Sequence, residues 1–452
     1  MANPLTRLFL DPVDAERNVP DRYRLRGDHR WWSVPMAVGV LMLVAAVAGG
    51  LASIGLQATL FAYLIGWVFC VSVAIGALFF VMIQHITKAR WSTTIRRIPE
   101  ALAASFPLLA VLGIPVLLGM HDLFHWTHAE LFDPESPYYD YLVAGKAPYL
   151  NVPFFLVRYV LYFVAFSYVG HKLYSLSVRN DANPDPQNTL DLRRWSAIGI
   201  PVCAVFTSFA AYDFVMSTDP HWFSTMFGIY FFAGGWLTAI CLTTMLALWF
   251  KKAGMLPEVT VEHQQDMGKF MFAFTVFWTY VAFSQYMLYW YANIPEETVW
   301  FAKRFTGGWE TVSWALLIFH FILPFFILLP RATKRVAPAL AIMAGWLIVM
   351  HWVDLWWMTM PSMYVSEASY GAEQAASVLA SGDRLASLAA LAPEGAEPGI
   401  HVVAPNVPLA EMAMWIGLFG VYVGTTMIRL GRHALTPYGD PYFADSLRFE
   451  NT

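Results

Sequence analysis

The sequence predicts an all-α integral membrane protein with ten transmembrane helices, and three observations predict it. Apolar residues make up 58% of the 452-residue chain and charged ones only 13%, where an ordinary soluble domain carries about 25% charged residues. The apolar residues gather into ten stretches, each near or above the roughly 20 residues that cross a bilayer. Lys and Arg fall almost entirely in alternate connections between those stretches, as they do in multi-pass proteins.

In chain order, residues 1–32 form a polar arm with six arginines. The first apolar stretch follows it, too long for a signal-peptide core and without a convincing cleavage site, so it is expected to be retained as a helix. Spanning helices are expected at about 33–56, 60–86, 101–120, 151–177, 195–217, 221–250, 268–293, 309–329, 336–358 and 408–429. The connections on the side of both termini hold 23 of the 28 Lys and Arg residues and the opposite ones hold 4. Both termini are therefore expected to be cytoplasmic, with 121–150 and 359–407 exoplasmic. Within the latter, residues 366–407 are rich in Ala, Gly, Pro and small polar residues, and a contact with an exoplasmic partner is expected of them.

An internal repeat is expected inside this layout. Asp213 stands seven residues before Pro220 in FAAYDFVMSTDPHW (209–222), and Asp354 seven before Pro361 in HWVDLWWMTMP (351–361). The second and sixth segments both read Tyr, then Gly-Trp, then a long apolar run closed by Lys-Ala. Segments 2–5 and 6–9 then form two four-helix bundles repeated in parallel, at 60–220 and 221–358. Segment 1 (33–59) flanks them, as does segment 10 with the tail (408–452).

Ionisable groups within apolar helices are expensive and mark functional sites by default. In the first bundle, GMHDLFHWTH holds His121, Asp122, His125 and His128, the three histidines on one face if the third helix continues that far. Arg158 lies roughly 10 Å inside segment 4 and needs a carboxylate, Asp213 or Asp122. These residues, with aromatic walls such as Trp126, Tyr159, Phe163, Tyr212 and Trp222, outline a pocket for a hydroxyl-bearing ring, from His121, Asp122, His125, Arg158 and Asp213. The plainer alternatives are a structural Arg–Asp pair and a histidine cap against another subunit. The second bundle offers a proton path over Glu310, His320, His351, Asp354, Gln285 and Tyr286, with no Arg in segment 8 to match Arg158. Asp213 beside a guanidinium is expected to keep its charge, whereas Asp354 is the carboxyl expected to exchange a proton.

Cys70, Cys203 and Cys241 stand alone in apolar segments, without CxxC or paired ligand spacing, so no covalently bound cofactor and no metal site is expected. The net charge of −4 says little about partners, and no nucleic-acid partner is expected.

The bundle layout, the two Asp-to-Pro ends and KAPYLNVPFFLVRYVLYF at 146–163 resemble membrane subunits of the polysulfide-reductase type. The likeness is closest to the second such subunit of alternative complex III, the bacterial quinol:cytochrome c oxidoreductase, and covers about residues 30–430. The resemblance implies a quinol site at the outer end of the first bundle, with His121 or Asp122 and Asp213 at the matching positions. It implies residence in the bacterial cytoplasmic membrane beside a homologous quinol-binding membrane subunit. It also implies partners that carry the redox centres, namely an iron–sulfur subunit and multihaem and monohaem cytochrome c subunits. The competing readings are a proton channel or transporter, and a membrane scaffold without a redox role.

Overall fold

The computed structural model describes residues 20, 23–25, 30–363, 405 and 409–451. Nearly all of the arm at 1–32, and the part of the 359–407 loop expected to meet a partner, lie outside them. The described residues hold helices and no strand. Ten of the helical segments are long and apolar enough to cross a membrane. They are α1 (Arg30–Ser53), α2 (Gly55–Ile86), α3 (Arg97–Leu118, in pieces), α4 (Val152–Ala182) and α5 (Pro186–Phe214). The second half holds α6 (Phe227–Lys252), α7 (Val261–Ala292), α8 (Trp309–Leu328), α9 (Ala337–Thr359) and α10 (Leu409–Leu430).

Each expected span coincides with one of these helices, and most differences are polar extensions at the ends. Helix α5 starts nine residues before its apolar run because the Asp185 side chain accepts from the Gln187 amide at 2.9 Å. At α7, Thr260 and His263 cap one another's backbone in the same manner. Hydropathy follows only the lipid-facing part of a helix, whereas capping satisfies the free amides wherever they lie.

Helix α2 is the axle. It is apolar all round, and its whole spanning window is buried, as expected of a helix surrounded by others. It packs against α1, α3, α5, α6, α9 and α10. The α2–α6 crossing is closest at Gly76 and Gly235, where a Cβ on either residue would sit 2.4 Å from a carbonyl oxygen of the other helix. Helices α1 and α10 meet along Gly39 on one side and Gly417, Gly420 and Gly424 on the other. Small residues let backbones approach where lipid supplies no hydrophobic drive between helices.

Helix α3 is not continuous. It stops at Ala103 and again at Leu112, with Pro107 four residues after the first and Pro115 three after the second. Each proline removes an amide donor and crowds the carbonyl four residues before it. A bare carbonyl in a membrane interior costs several kcal/mol, and neighbouring helices send donors to carbonyls beside the breaks. Tyr63 and Trp67 of α2 donate to Leu112 O at 2.7 Å and Leu109 O at 2.8 Å. Tyr159 of α4 donates to Ala110 O at 2.6 Å, and Arg429 of α10 to Ala101 O at 2.7 Å.

The described stretches nearest the two chain ends meet at one end of the molecule. The Leu435 amide donates to Tyr23 O at 2.9 Å, and the rings of Tyr23 and Tyr438 stack. Below them lies a buried ionic lattice. Arg96 pairs with Glu100 at 3.1 Å and with Asp440, and Arg97 pairs with Asp181. It fastens the start of α3 to the end of α4 and to the tail.

Candidate functional site

The far end, opposite that lattice, carries two buried carboxyls. Asp213 is one residue from the end of α5, and the guanidinium of Arg158 on α4 grips it in a fork. Arg158 Nε donates to Oδ2 at 2.8 Å and Nη2 to Oδ1 at 2.9 Å. Tyr162, one turn along α4, donates to Oδ2 at 2.7 Å. The remaining donor, Nη1, goes to Tyr149 O at 2.9 Å, and the rings of Tyr149 and Phe154 lie 3.9 and 4.4 Å from the guanidinium carbon. Of the two carboxylates open to Arg158 on sequence grounds, Asp213 is therefore its partner. The charges are matched and the fork is bidentate, the stronger geometry for such a pair.

The histidines do not share a helical face. The last piece of α3's polypeptide, Met120–Leu123, ends before Phe124, which is extended, and a short 3-10 turn carries His125–Thr127. The fold-back still gathers the rings. His121 and His128 stack at 4.0 Å between centroids, and His125 lies 5.6 Å from His128. Burial, with His128 and His221 nearby, pushes the His125 imidazole down to about 4. Among the described residues no group of His, Cys, Asp and Glu is arranged to hold a metal.

Behind this cluster runs a polar chain that the sequence reading did not single out. His221 pairs with Asp140 at 2.6 Å, and Asp219 takes a hydrogen bond from Lys303 at 2.7 Å. Burial alone would raise the Asp219 carboxyl, but Lys303, His221 and Arg304 hold it below the usual carboxylate range. Asp219 thus ties the α5–α6 turn to the connection before α8.

A cavity of about 230 Å³ opens beside Tyr149. Its walls include Lys146, Tyr149, Tyr212, Ser217, Trp222 and Phe223. Lys146 also donates to Pro220 O. None of His121, Asp122 or His125 lines this space. The five residues expected to form one pocket therefore fall into two places. Arg158 and Asp213 stand behind the Tyr149 wall, while the histidines lie in the α3–α4 connection. Asp122 is half-buried, and its backbone carbonyl accepts from Gln57.

The second carboxyl has a different shell. Asp354, five residues before the end of α9, accepts from Tyr230 of α6 and from the Trp278 indole of α7 at 3.0 Å. His351 Nδ1 lies 3.9 Å from Oδ2, and its Nε2 meets the Ser72 hydroxyl of α2 at 2.9 Å. The Trp278 ring carries His320 on its other side, with centroids 3.9 Å apart. His320 is fully buried and sits in a π-helical stretch, Leu316–Ile322, four residues before Pro324. Neither of its ring nitrogens has a hydrogen-bond partner among the described residues. Single π turns recur at functional positions.

The other residues assigned to the proton path stand apart from this group. Glu310 is exposed and caps the Gly308 amide at 2.9 Å. Gln285 lies two turns from the end of α7, where Ser224 donates to it at 3.2 Å. Tyr286 packs on Phe301 and Phe305.

The second half also has its own buried arginine, in the connection rather than in α8. Arg304 donates to the carbonyls of Trp300 at 2.7 Å and Trp357 at 3.1 Å and to Met358 O, capping the end of α9. No carboxylate pairs with it among the described residues. The sequence offered Arg304 only as one loop cation among others, since nothing local marks its burial. No protein-family model matches the chain, and no curated protein matches it.

Proposed function

We propose that the chain is a membrane subunit of a quinol-oxidising respiratory complex, of the polysulfide-reductase type found in alternative complex III. Its place is the bacterial cytoplasmic membrane, with both termini cytoplasmic. Haem c and iron–sulfur clusters belong to its partners in this reading. The single observation that carries it is the unequal pair of buried carboxyls at one end: a charge-matched Arg158–Asp213 fork beside a cavity, and an Asp354 held by uncharged donors.

The cavity's size and apolar walls suit one ring of a quinol head group, with Lys146 as its polar contact. It is smaller than the roughly 300–1,000 Å³ of drug-sized pockets. A bound quinol supplies two electrons and two protons to its surroundings. Arg158 and Asp213 fix the position of the Tyr149 wall, and Lys146 holds the turn at Pro220. Asp354 with Tyr230, and His351 with Ser72, form two hydrogen-bonded pairs set 3.9 Å apart, groups able to hold a proton at the meeting of α6, α9 and α2. Support for the parallel repeat comes from the Gly76–Gly235 crossing, where α2 and α6 meet as equivalent helices would about a two-fold axis. The breaks in α3 and α8 do not fall on repeat-equivalent helices, so they lend nothing to a transporter.

The test is quinol:cytochrome c turnover alongside proton release in vesicles, using the complex with its native partners. Asp354→Asn should lower the proton-to-electron ratio more than the turnover. Asp213→Asn should lower turnover or assembly. An unchanged ratio in Asp354→Asn would leave the second half a scaffold. Single-cysteine labelling from outside should modify positions in 121–150 and spare 179–193, and the reverse pattern would overturn the orientation.

A further inference from the structure

Helix α4 is too long for a bilayer. Its 31 residues extend roughly 46 Å at 1.5 Å per residue, against a hydrocarbon layer of about 30 Å. Counting about 20 residues from Val152 brings the hydrocarbon edge to Lys172, and Arg179 stands roughly 10 Å further out. At this level a groove of about 190 Å³ is lined by Tyr168, His171, Lys172, Ser175, Leu176 and Arg179. The spacings of three and four put all of them on one face.

Two features of the groove point to a ligand that is anionic at one end and apolar at the other. Neither Lys172 nor Arg179 has a carboxylate partner among the described residues, although acidic residues elsewhere at this end are taken up by Arg96, Arg97 and Arg90. The same face continues into the membrane as exposed Val157, Leu161, Val164 and Tyr168. Trp195 of α5 marks the boundary. It stacks edge-on against Tyr168 at 5.4 Å and lies 5.5 Å below the Lys172 ammonium, as interfacial aromatics do at the headgroup level.

We propose that this groove binds the phosphodiester of an anionic phospholipid. Lys172 and Arg179 share its charge, the Ser175 hydroxyl donates to it, and an acyl chain lies along Val157–Tyr168. A guanidinium and an ammonium at one edge of a groove are the usual means of holding a phosphate, and basic side chains just beyond a membrane helix attract anionic headgroups. The site lies at the opposite end from both carboxyl centres and stands independently of the function proposed above.

The test uses the full chain, purified, stripped of lipid and returned to vesicles or micelles. Binding of phosphatidylglycerol and of phosphatidylcholine is measured by native mass spectrometry, and thermal stability is followed with each lipid and with inorganic phosphate. Phosphatidylglycerol should bind preferentially and raise the melting temperature. Lys172→Gln with Arg179→Gln should weaken it about 30-fold, each near-surface cation contributing roughly a fivefold factor. Lys172→Arg with Arg179→Lys should restore binding, separating charge from any fold defect. Equal binding of both lipids, or unchanged retention in the glutamine variant, would overturn the proposal. Stabilisation by inorganic phosphate equal to that by phosphatidylglycerol would also overturn it, leaving only a free-anion site.

Discussion

The two carboxyls at the far end read alike in the sequence and differ in the fold. Asp213 is followed after one residue by the end of its helix, meets a guanidinium through both oxygens, and accepts a third bond from Tyr162. Asp354 sits a full turn deeper in its helix and meets only a phenol, an indole and, at 3.9 Å, an imidazole. The buried arginine of the second half is present but spent elsewhere, on the carbonyls that end α9. A cation paired with a carboxylate makes a rigid, charge-matched joint. A cation capping a helix leaves the nearby carboxyl to neutral donors, the arrangement on which the proposed proton-handling role of Asp354 rests.

The comparison breaks most visibly under truncation. Asp213→Ala should cost about 3–5 kcal/mol, because it strands a buried guanidinium, whereas Asp354→Ala removes no charge partner and should cost less. Equal losses for the two variants in denaturation of the purified chain would mean that Arg158 is relieved by water. Next in size are the phenols. Tyr230→Phe should cost about 1.5–3 kcal/mol as a lost hydrogen bond to an ionisable group, and Tyr162→Phe less, since the Arg158 fork still satisfies Asp213. The same denaturation assay checks the order, and the reverse order would contradict the assignment of neutral donors to Asp354.

A smaller effect sharpens the contrast through pH. The His125 imidazole is held at about 4, below its ordinary 6.5, by burial and by His128 and His221. A group whose folded form resists protonation contributes stability that is complete above pH 6.5 and lost as the pH falls toward 4. The melting temperature should fall across that window, and His125→Gln should flatten the slope. A slope unaltered by the substitution would assign it to other groups, with Glu130 and Asp140 the nearest carboxyls. The least effect is expected at Glu310, exposed at its cap. Glu310→Gln should change stability by less than about 1 kcal/mol and leave proton release intact, a result that would confirm its separation from Asp354.

Ten spans and their approximate limits were determined by the sequence alone. Hydropathy adds up along the chain, and a membrane enforces it residue by residue, so these features need no knowledge of neighbours. Arg158 is likewise legible as a buried cation in want of partners, because a buried charge left without them is costly wherever it occurs. Only the tertiary structure decided which groups meet. It chose Asp213 over Asp122, brought Tyr230, Trp278 and Ser72 to Asp354 and His351 across separations of 76 to 279 residues, and parted the histidines from the cavity. The pieces of α3 make the same point. Its prolines are plain in the sequence, yet only the packing shows that Tyr63 and Tyr159 arrive from other helices to satisfy carbonyls beside the breaks. A hydrogen bond is directional and short, so its partner is set by the three-dimensional packing of distant segments and not by any property that sums along the chain.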